Sequence, residues 1–322
     1  MAGLSASEIV RARELLKGIA VNHPLQFSQT FSDMAGCSVY LKPECLQKNG
    51  AHKIRGAYYM LSVLPKEQRE GGICTFSAGN WAQGVAYAGS LIGCPVTVVM
   101  PEKANPKKVA ATRGYGGEVI LFGRDSNELF HKAQSLAQER GAYFVDPLEN
   151  PLLMVGLGTL GLEMLEDEPE LDAMVVPLGG GGLIAGIATA VKDRKPGVKV
   201  YGVQPNGADA MARSLKEGRA VELDRVETIA DGLAVKKPSE KTFRVIQKLV
   251  DGVVTVSDDE IKEAIFLLLE RAKLVVEPAG AAALAAVLSK RIQGLGARKV
   301  AVLLTGGNID FQLLVEILRA KN

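Results

Sequence analysis

The chain has 322 residues, is 47% hydrophobic and 23% charged, and sets 38 Lys and Arg against 36 Asp and Glu, a formal net charge of +2. That length predicts two domains, or one large one, with a core big enough to need neither disulfides nor a structural metal. The balanced charge excludes a protein built to grip nucleic acid by neutralising phosphates, and no stretch approaches the ~18 apolar residues of a membrane span.

The elements follow in chain order. Ser5-Ala6-Ser7-Glu8 reads as a capping box, and Ile9, Leu15, Leu16 and Ile19 mark the face of a first helix. Short apolar runs then alternate with helix-period segments. The runs are Val39–Leu41, Ile73–Phe76, Val96–Val99, Val119–Leu121, Met174–Val176, Val198–Val203, Val253–Val256 and Val300–Leu304. Most are rich in β-branched residues and bounded by Gly, Pro or Asp, and the segments between them are long enough for βαβ crossovers. This predicts an α/β protein with one or two mostly parallel sheets. A last helix is expected over Asp310–Leu318. Cys37, Cys45, Cys74 and Cys94 form no C-x-x-C pair and stand apart from His23, His52 and His131, so they are expected as buried thiols rather than a zinc site. Met1 to Ser7 shows no secretory leader, and the expected location is the cytoplasm.

Three segments carry chemistry. In the first, Met174-Val175-Val176-Pro177-Leu178 runs into Gly179-Gly180-Gly181-Gly182-Leu183 and then a helix. Such a turn lets backbone N–H groups approach an anion, with the helix N-terminus adding partial positive charge. No Lys-Ser/Thr follows the glycines, so this is not a nucleoside-triphosphate loop. The next strand ends at Gln204-Pro205 without the acidic residue a dinucleotide ribose needs. A compact phosphate ester remains. The second segment, Thr75-Phe76-Ser77-Ala78-Gly79-Asn80-Trp81, is again a strand end before a helix. It suits a carboxylate, or else Ser77 or Asn80 is an ordinary helix cap. The third, Lys42-Pro43-Glu44-Cys45-Leu46-Gln47-Lys48-Asn49-Gly50-Ala51-His52-Lys53-Ile54-Arg55-Gly56-Ala57, taken alone holds only surface-type lysines.

Together these segments resemble the threonine dehydratase and serine racemase group of fold-type II enzymes, in the short form without a regulatory domain. The group's K-x-G-S-F-K-x-R-G-A matches Lys48 to Ala57 with two departures. Its S-A-G-N-H-A-Q-G matches Ser77 to Gly84 with one. The loop Gly179–Leu183 and Ile229-Ala230-Asp231-Gly232 match outright, and Glu277-Pro278-Ala279-Gly280-Ala281 nearly so. Thr305-Gly306-Gly307-Asn308-Ile309-Asp310 matches with Thr for Ser. The matches fall in one order across nearly the whole chain.

The resemblance implies two open, mostly parallel twisted sheets flanked by helices, as in the tryptophan synthase β fold. It implies a large cofactor-binding domain over 1–65 and 153–322 and a small domain over 66–152 closing over the substrate. The implied cofactor is pyridoxal 5′-phosphate. Lys53 would hold it as a Schiff base and later act as the Cα base. Gly179, Gly180, Gly181, Gly182 and Leu183 would bind its phosphate, and Asn80 its phenolic oxygen. Thr305 would face the pyridine nitrogen, His52 would cover one ring face, and Gly232 and Glu277 would lie near the ring. Ser77, Ala78, Gly79 and Asn80 would hold the substrate carboxylate. The partners implied are a small amino-acid substrate and further copies of the chain, as a homodimer or homotetramer, with neither nucleic acid nor membrane.

The departures bear on substrate and metal. Ala51 and His52 stand for the group's Ser and Phe, Trp81 for His, and Leu157 for Gln. If Trp81 and Leu157 line the substrate site, its wall is large and apolar. It then suits a bulky β-hydroxy amino acid such as L-threo-3-phenylserine, with L-threonine or L-serine as the alternative. Ala78 replaces the Ser that protonates the second face in racemases. Gln204 and Ala210, with Ala208 as a possible carbonyl ligand, stand where some members bind a divalent cation through carboxylates, so no metal is expected. The expected activity is a dehydratase (ammonia-lyase) that turns an L-β-hydroxy-α-amino acid into a 2-oxo acid and ammonia. The alternative of another class is a non-catalytic amino-acid or nucleotide sensor on the same scaffold.

Overall fold

Ten strands form in a computed structural model of the protein, which describes residues 4–292 and 298–321. They are β1 (Gln26–Ser28), β2 (Ser38–Pro43), β3 (Ile73–Phe76), β4 (Val96–Met100), β5 (Glu118–Leu121), β6 (Tyr143–Phe144), β7 (Ala173–Pro177), β8 (Lys199–Pro205), β9 (Gly252–Val256) and β10 (Lys299–Leu304). The eight predicted runs are all among them. β1 and β6 are additional, three and two residues long, and too short to show a period.

The chain divides into two compact units, Met1–Val21 with His52–Leu157, and Asn22–Ala51 with Gly158–Asn322. The first unit holds a parallel sheet in the order β5-β4-β3-β6. Its core gathers Ile54, Met60, Trp81, Val85, Val98 and Leu153. The second unit holds the order β1-β2-β10-β7-β8-β9, parallel except for β1, which runs antiparallel to β2. The Ala-rich helix Pro278–Leu288, buried along almost its whole length, is part of that unit's core. The two mostly parallel sheets and their flanking helices are those implied above.

The unit boundaries differ from the expected 1–65/153–322 and 66–152 on both sides of the small domain, since residues 1–21, 52–65 and 153–157 belong with the first unit. Ser5 caps the helix Ala6–Leu15 as expected, its Oγ accepting from Glu8 N. The Glu8 carboxylate, however, accepts from the Tyr59 hydroxyl at 2.8 Å, and that bond fastens this helix to the helix Lys53–Val63. Burial and the Glu8 carboxylate push the Tyr59 phenol up to about 12. The Asn22 stretch is held in the second unit by Lys42, which is fully buried. Its Nζ donates to Asn22 Oδ1 at 2.8 Å and Asp167 Oδ2 at 3.0 Å, and pairs with Glu163 at 3.2 Å. Two carboxylates and an amide supply the compensation a buried ammonium requires.

All four cysteines are free thiols, as expected. Burial raises the thiol pKa of each, pushing Cys45 up to about 12 with help from the Glu44 and Glu277 charges, so none is a ready thiolate. Among the described residues no helix is long and apolar enough to cross a membrane.

Candidate active site

In the second unit three of the site segments, those that follow β2, β7 and β10, leave the carboxyl edge of one sheet. The parallel register pairs Pro43 with Leu304 and Pro177 with Val203, so the chain after β2, β10 and β7 emerges side by side. Open α/β sheets bind ligands at this edge. After β7 the glycine loop passes through Gly181 at φ +92° and enters the helix Gly182–Arg194, which no side chain caps. The first N–H groups of that helix have no intrahelical acceptor and carry its partial positive charge. A Cβ on Gly181 would lie 2.7 Å from Ile246 Cδ1 and 3.0 Å from Thr242 Cβ, so both the dihedral and the space demand glycine.

Close backbone approaches link the other predicted residues of this unit. A Cβ on Gly179 would meet the Gly232 carbonyl at 3.0 Å, and one on Gly232 would meet Ala279 Cβ at 3.0 Å. Glu277 begins the next helix, and its N–H donates to Gly306 O at 3.0 Å. Gly306 forms a lone antiparallel bridge with Ala51, Gly307 N donates to Gly50 O at 2.9 Å, and Asn308 Nδ2 donates to Asn49 O at 3.1 Å. Gly179, Gly232, Glu277, Thr305 and the stretch ending at Ala51 thus form one contiguous cluster. Asn49 and Asn308 belong to two of the motifs quoted above, and their hydrogen bond brings those motifs together.

In the first unit Lys53 opens the helix Lys53–Val63. The helix Asn80–Ile92 crosses it at Gly84, where a Cβ would lie 2.9 Å from Lys53 Cβ. The segment Ser77–Asn80 joins β3 to that second helix. Its alternative reading as a side-chain cap does not hold. The N-cap residue is Gly79, no side chain caps the helix, and Ser77 Oγ instead accepts from Gly79 N at 3.1 Å. The uncapped helix start suits a carboxylate. Lys108 Nζ stands 3.7 Å from where a Gly79 Cβ would be, adding positive charge beside the loop. Sequence reasoning passed over Lys108, one of two adjacent lysines in a helix with no other mark.

One predicted wall residue is turned elsewhere. Trp81 is 6% exposed and packs in the unit's hydrophobic core, its indole N–H donating to Thr75 Oγ1 at 3.0 Å. Leu157 is 5% exposed and packs on the helix Lys53–Val63, its Cγ 3.3 Å from a Cβ position on Gly56. The indole therefore spends its apolar surface on the core, and the expected aromatic wall loses its main contributor. His52 precedes Lys53 as the N-cap residue and is buried.

Residues 17–306 match the pyridoxal-phosphate dependent enzyme family. The chain belongs to that family. An L-threonine ammonia-lyase of Thermotoga maritima is 44% identical over 98% of this chain and 78% of its own length. An L-threo-3-hydroxyaspartate ammonia-lyase of Saccharomyces cerevisiae is 37% identical over 98% of this chain and 96% of its own. The structure of maize serine racemase superposes with a TM-score of 0.94 at 34% identity, covering 99% of this chain and 98% of that one. The cofactor of this pyridoxal-phosphate enzyme is pyridoxal 5′-phosphate, and its reaction class is that of the ammonia-lyases.

The residues fit that cofactor. The uncapped helix start behind Gly179–Gly182 supplies N–H donors of the kind a phosphate dianion takes. Thr305, buried at the end of β10, offers a hydroxyl rather than a carboxylate. Lys53 supplies the primary amine that a carbonyl cofactor requires. Among the described residues no group of three or more His, Cys, Asp or Glu side chains gathers as a metal site. Gln204 is fully buried, and its Oε1 accepts from Ala212 N at 2.9 Å.

Proposed function

We propose that the chain is an L-threonine ammonia-lyase, which removes water and then ammonia from threonine to leave 2-oxobutanoate. Pyridoxal phosphate supplies the electron sink for the Cα–H bonding pair. Lys53 would hold the cofactor through its amine, and the same amine, when free, would take the Cα proton on Nζ. Gly179, Gly180, Gly181, Gly182 and Leu183 would bind the phosphate, with Gly232 and Glu277 beside the ring. Asn80 would donate to the phenolic oxygen, and His52 would cover a ring face. Thr305 would face the ring nitrogen with a hydroxyl, which does not force a proton there and so would favour prompt loss of the β-hydroxyl as water. Ser77, Ala78, Gly79 and Asn80 hold the carboxylate, with Lys108 adding field from the flank. The enamine left behind tautomerises and hydrolyses to the 2-oxo acid and ammonia.

The observation that carries the choice of threonine over a bulkier substrate is the burial of Trp81. An indole packed in the core has no apolar face to offer a phenyl ring. The higher identity to the threonine enzyme supports the same reading. We expect kcat/KM for L-threonine to exceed that for L-threo-3-phenylserine by about tenfold or more, the equivalent of ~1.4 kcal/mol of transition-state binding. A steady-state comparison of threonine, serine and phenylserine checks it, and a higher value for phenylserine would reinstate the aromatic substrate. Racemisation is a minor path in this reading, because the methyl group of Ala78 has no proton to give.

No divalent cation takes part. Gln204 is neutral and its oxygen is engaged by the Ala212 N–H, while Ala208 and Ala210 offer no carboxylate to a hard cation. Activity is expected to stay within about twofold after EDTA and after added Mg²⁺. A reversible loss on chelation means that a cation is held by other groups. The family resemblance also implies a homodimer or homotetramer, and sedimentation of the purified protein is the measurement that checks it.

A further inference from the structure

Trp81 is the only tryptophan in the chain. It is the second residue of the helix Asn80–Ile92, and its indole donates to Thr75 Oγ1 at 3.0 Å. Thr75 is the third residue of β3 and wholly buried, and its own hydroxyl proton goes to the Val145 carbonyl at 2.8 Å. One side-chain bond therefore closes a ring around residues 76–80, joining the strand end before the loop to the helix start after it. The second bond anchors that ring at Val145, just beyond β6. Inside the ring, Ser77 N donates to Val99 O at 3.1 Å and Gly79 N to Ser77 Oγ at 3.1 Å. Gly79 sits at φ −154°, ψ −129°, and the helix start has no side-chain cap.

We infer that Trp81 is a positioning residue. Its hydrogen bond to Thr75 sets the width of the Ser77–Asn80 loop, whose Ser77 and Gly79 N–H groups hold its own shape, so that the Ala78 N–H and the Ser77 hydroxyl proton are set for the substrate carboxylate before substrate arrives. This rests on the proposed carboxylate role of that loop. A short loop containing glycine loses conformational freedom when it closes on an anion, and that loss is subtracted from binding. A clamp already made in the free protein removes the loss. Breaking the clamp weakens carboxylate binding and leaves the chemistry at Lys53 alone. The indole serves here through its N–H and its packing, and it does not touch substrate.

The test uses the holoenzyme and two ligands. L-2-Aminobutyrate is threonine without the β-hydroxyl and cannot eliminate water, and its amide also lacks the carboxylate. Trp81→Phe keeps an aromatic ring and loses the N–H. Thr75→Val keeps the shape and loses the hydroxyl, and Thr75→Ser restores it. Trp81→Phe and Thr75→Val are each expected to raise KM for threonine and Kd for 2-aminobutyrate about tenfold, the scale of one hydrogen bond, with kcat within about twofold. Thr75→Ser is expected within about twofold of the unaltered protein throughout, and the amide to bind all four proteins equally weakly. In Thr75→Val the emission of the single tryptophan shifts to shorter wavelength as the indole N–H loses its acceptor. Unchanged Kd in both Trp81→Phe and Thr75→Val, with the acid still preferred to the amide, overturns the clamp and leaves the carboxylate loop standing. So does a fall in kcat at constant Kd. Equal binding of acid and amide by the unaltered protein overturns the loop's role and the clamp together.

Discussion

Lys53→Ala is expected to lower kcat for L-threonine by about 10³-fold or more. Two functions go at once, the covalent hold on the cofactor and the base that removes the Cα proton. General-base catalysis alone is worth about 10²–10⁴-fold. Lys53→Arg is expected to be equally inactive, because a guanidinium keeps the charge but neither deprotonates nor forms the carbonyl adduct. That second variant separates a nucleophile from a mere positive charge. Borohydride reduction of the unaltered protein followed by peptide mapping gives a readout independent of turnover. Label on Lys53 is the expected result, and label on any other lysine removes Lys53 from its role.

Gly84→Ala is expected to lower kcat about 10- to 100-fold. The helix Asn80–Ile92 crosses the first turn of the helix Lys53–Val63 at this glycine. A methyl group there would stand 2.9 Å from Lys53 Cβ, 3.1 Å from the Lys53 carbonyl carbon and 3.3 Å from Ile54 N. Carbon atoms pack comfortably at about 3.5–4.0 Å. The atoms in the way belong to backbone and Cβ, which no rotamer change moves, so the lysine's helix must shift. Overpacking of this kind costs about 1–3 kcal/mol, and a displacement near 1 Å at a reacting group is worth about 10²-fold. Gly93→Ala is the control. Gly93 lies at φ +76° with nothing within 4 Å of a Cβ, so alanine there costs about 1 kcal/mol of stability by backbone strain alone. Its thermal midpoint is expected to fall while kcat is kept. Gly84→Ala with kcat unchanged would show that the lysine tolerates the shift.

What the sequence determined by itself was whatever depends on neighbours along the chain. Each of the eight predicted runs became a strand because β-branched residues bounded by turn residues specify extended backbone locally. The Gly179–Gly182 turn ahead of a helix was legible because a positive φ and an uncapped helix start are properties of consecutive residues. The motif order along the chain carried the cofactor. Folding decided whatever depends on partners far off in sequence. β1 and β6 exist because β2 and β3 offer them edges. The helix Ala6–Leu15 joined the first unit through Glu8 and Tyr59, residues with no common motif. The direction of the Trp81 ring was the largest such question. An indole after Asn80 packs inward or outward equally well as sequence, and a buried acceptor on Thr75, itself held by Val145, turns it into the core. A buried N–H must find an acceptor, and only the tertiary fold could show where that acceptor lay.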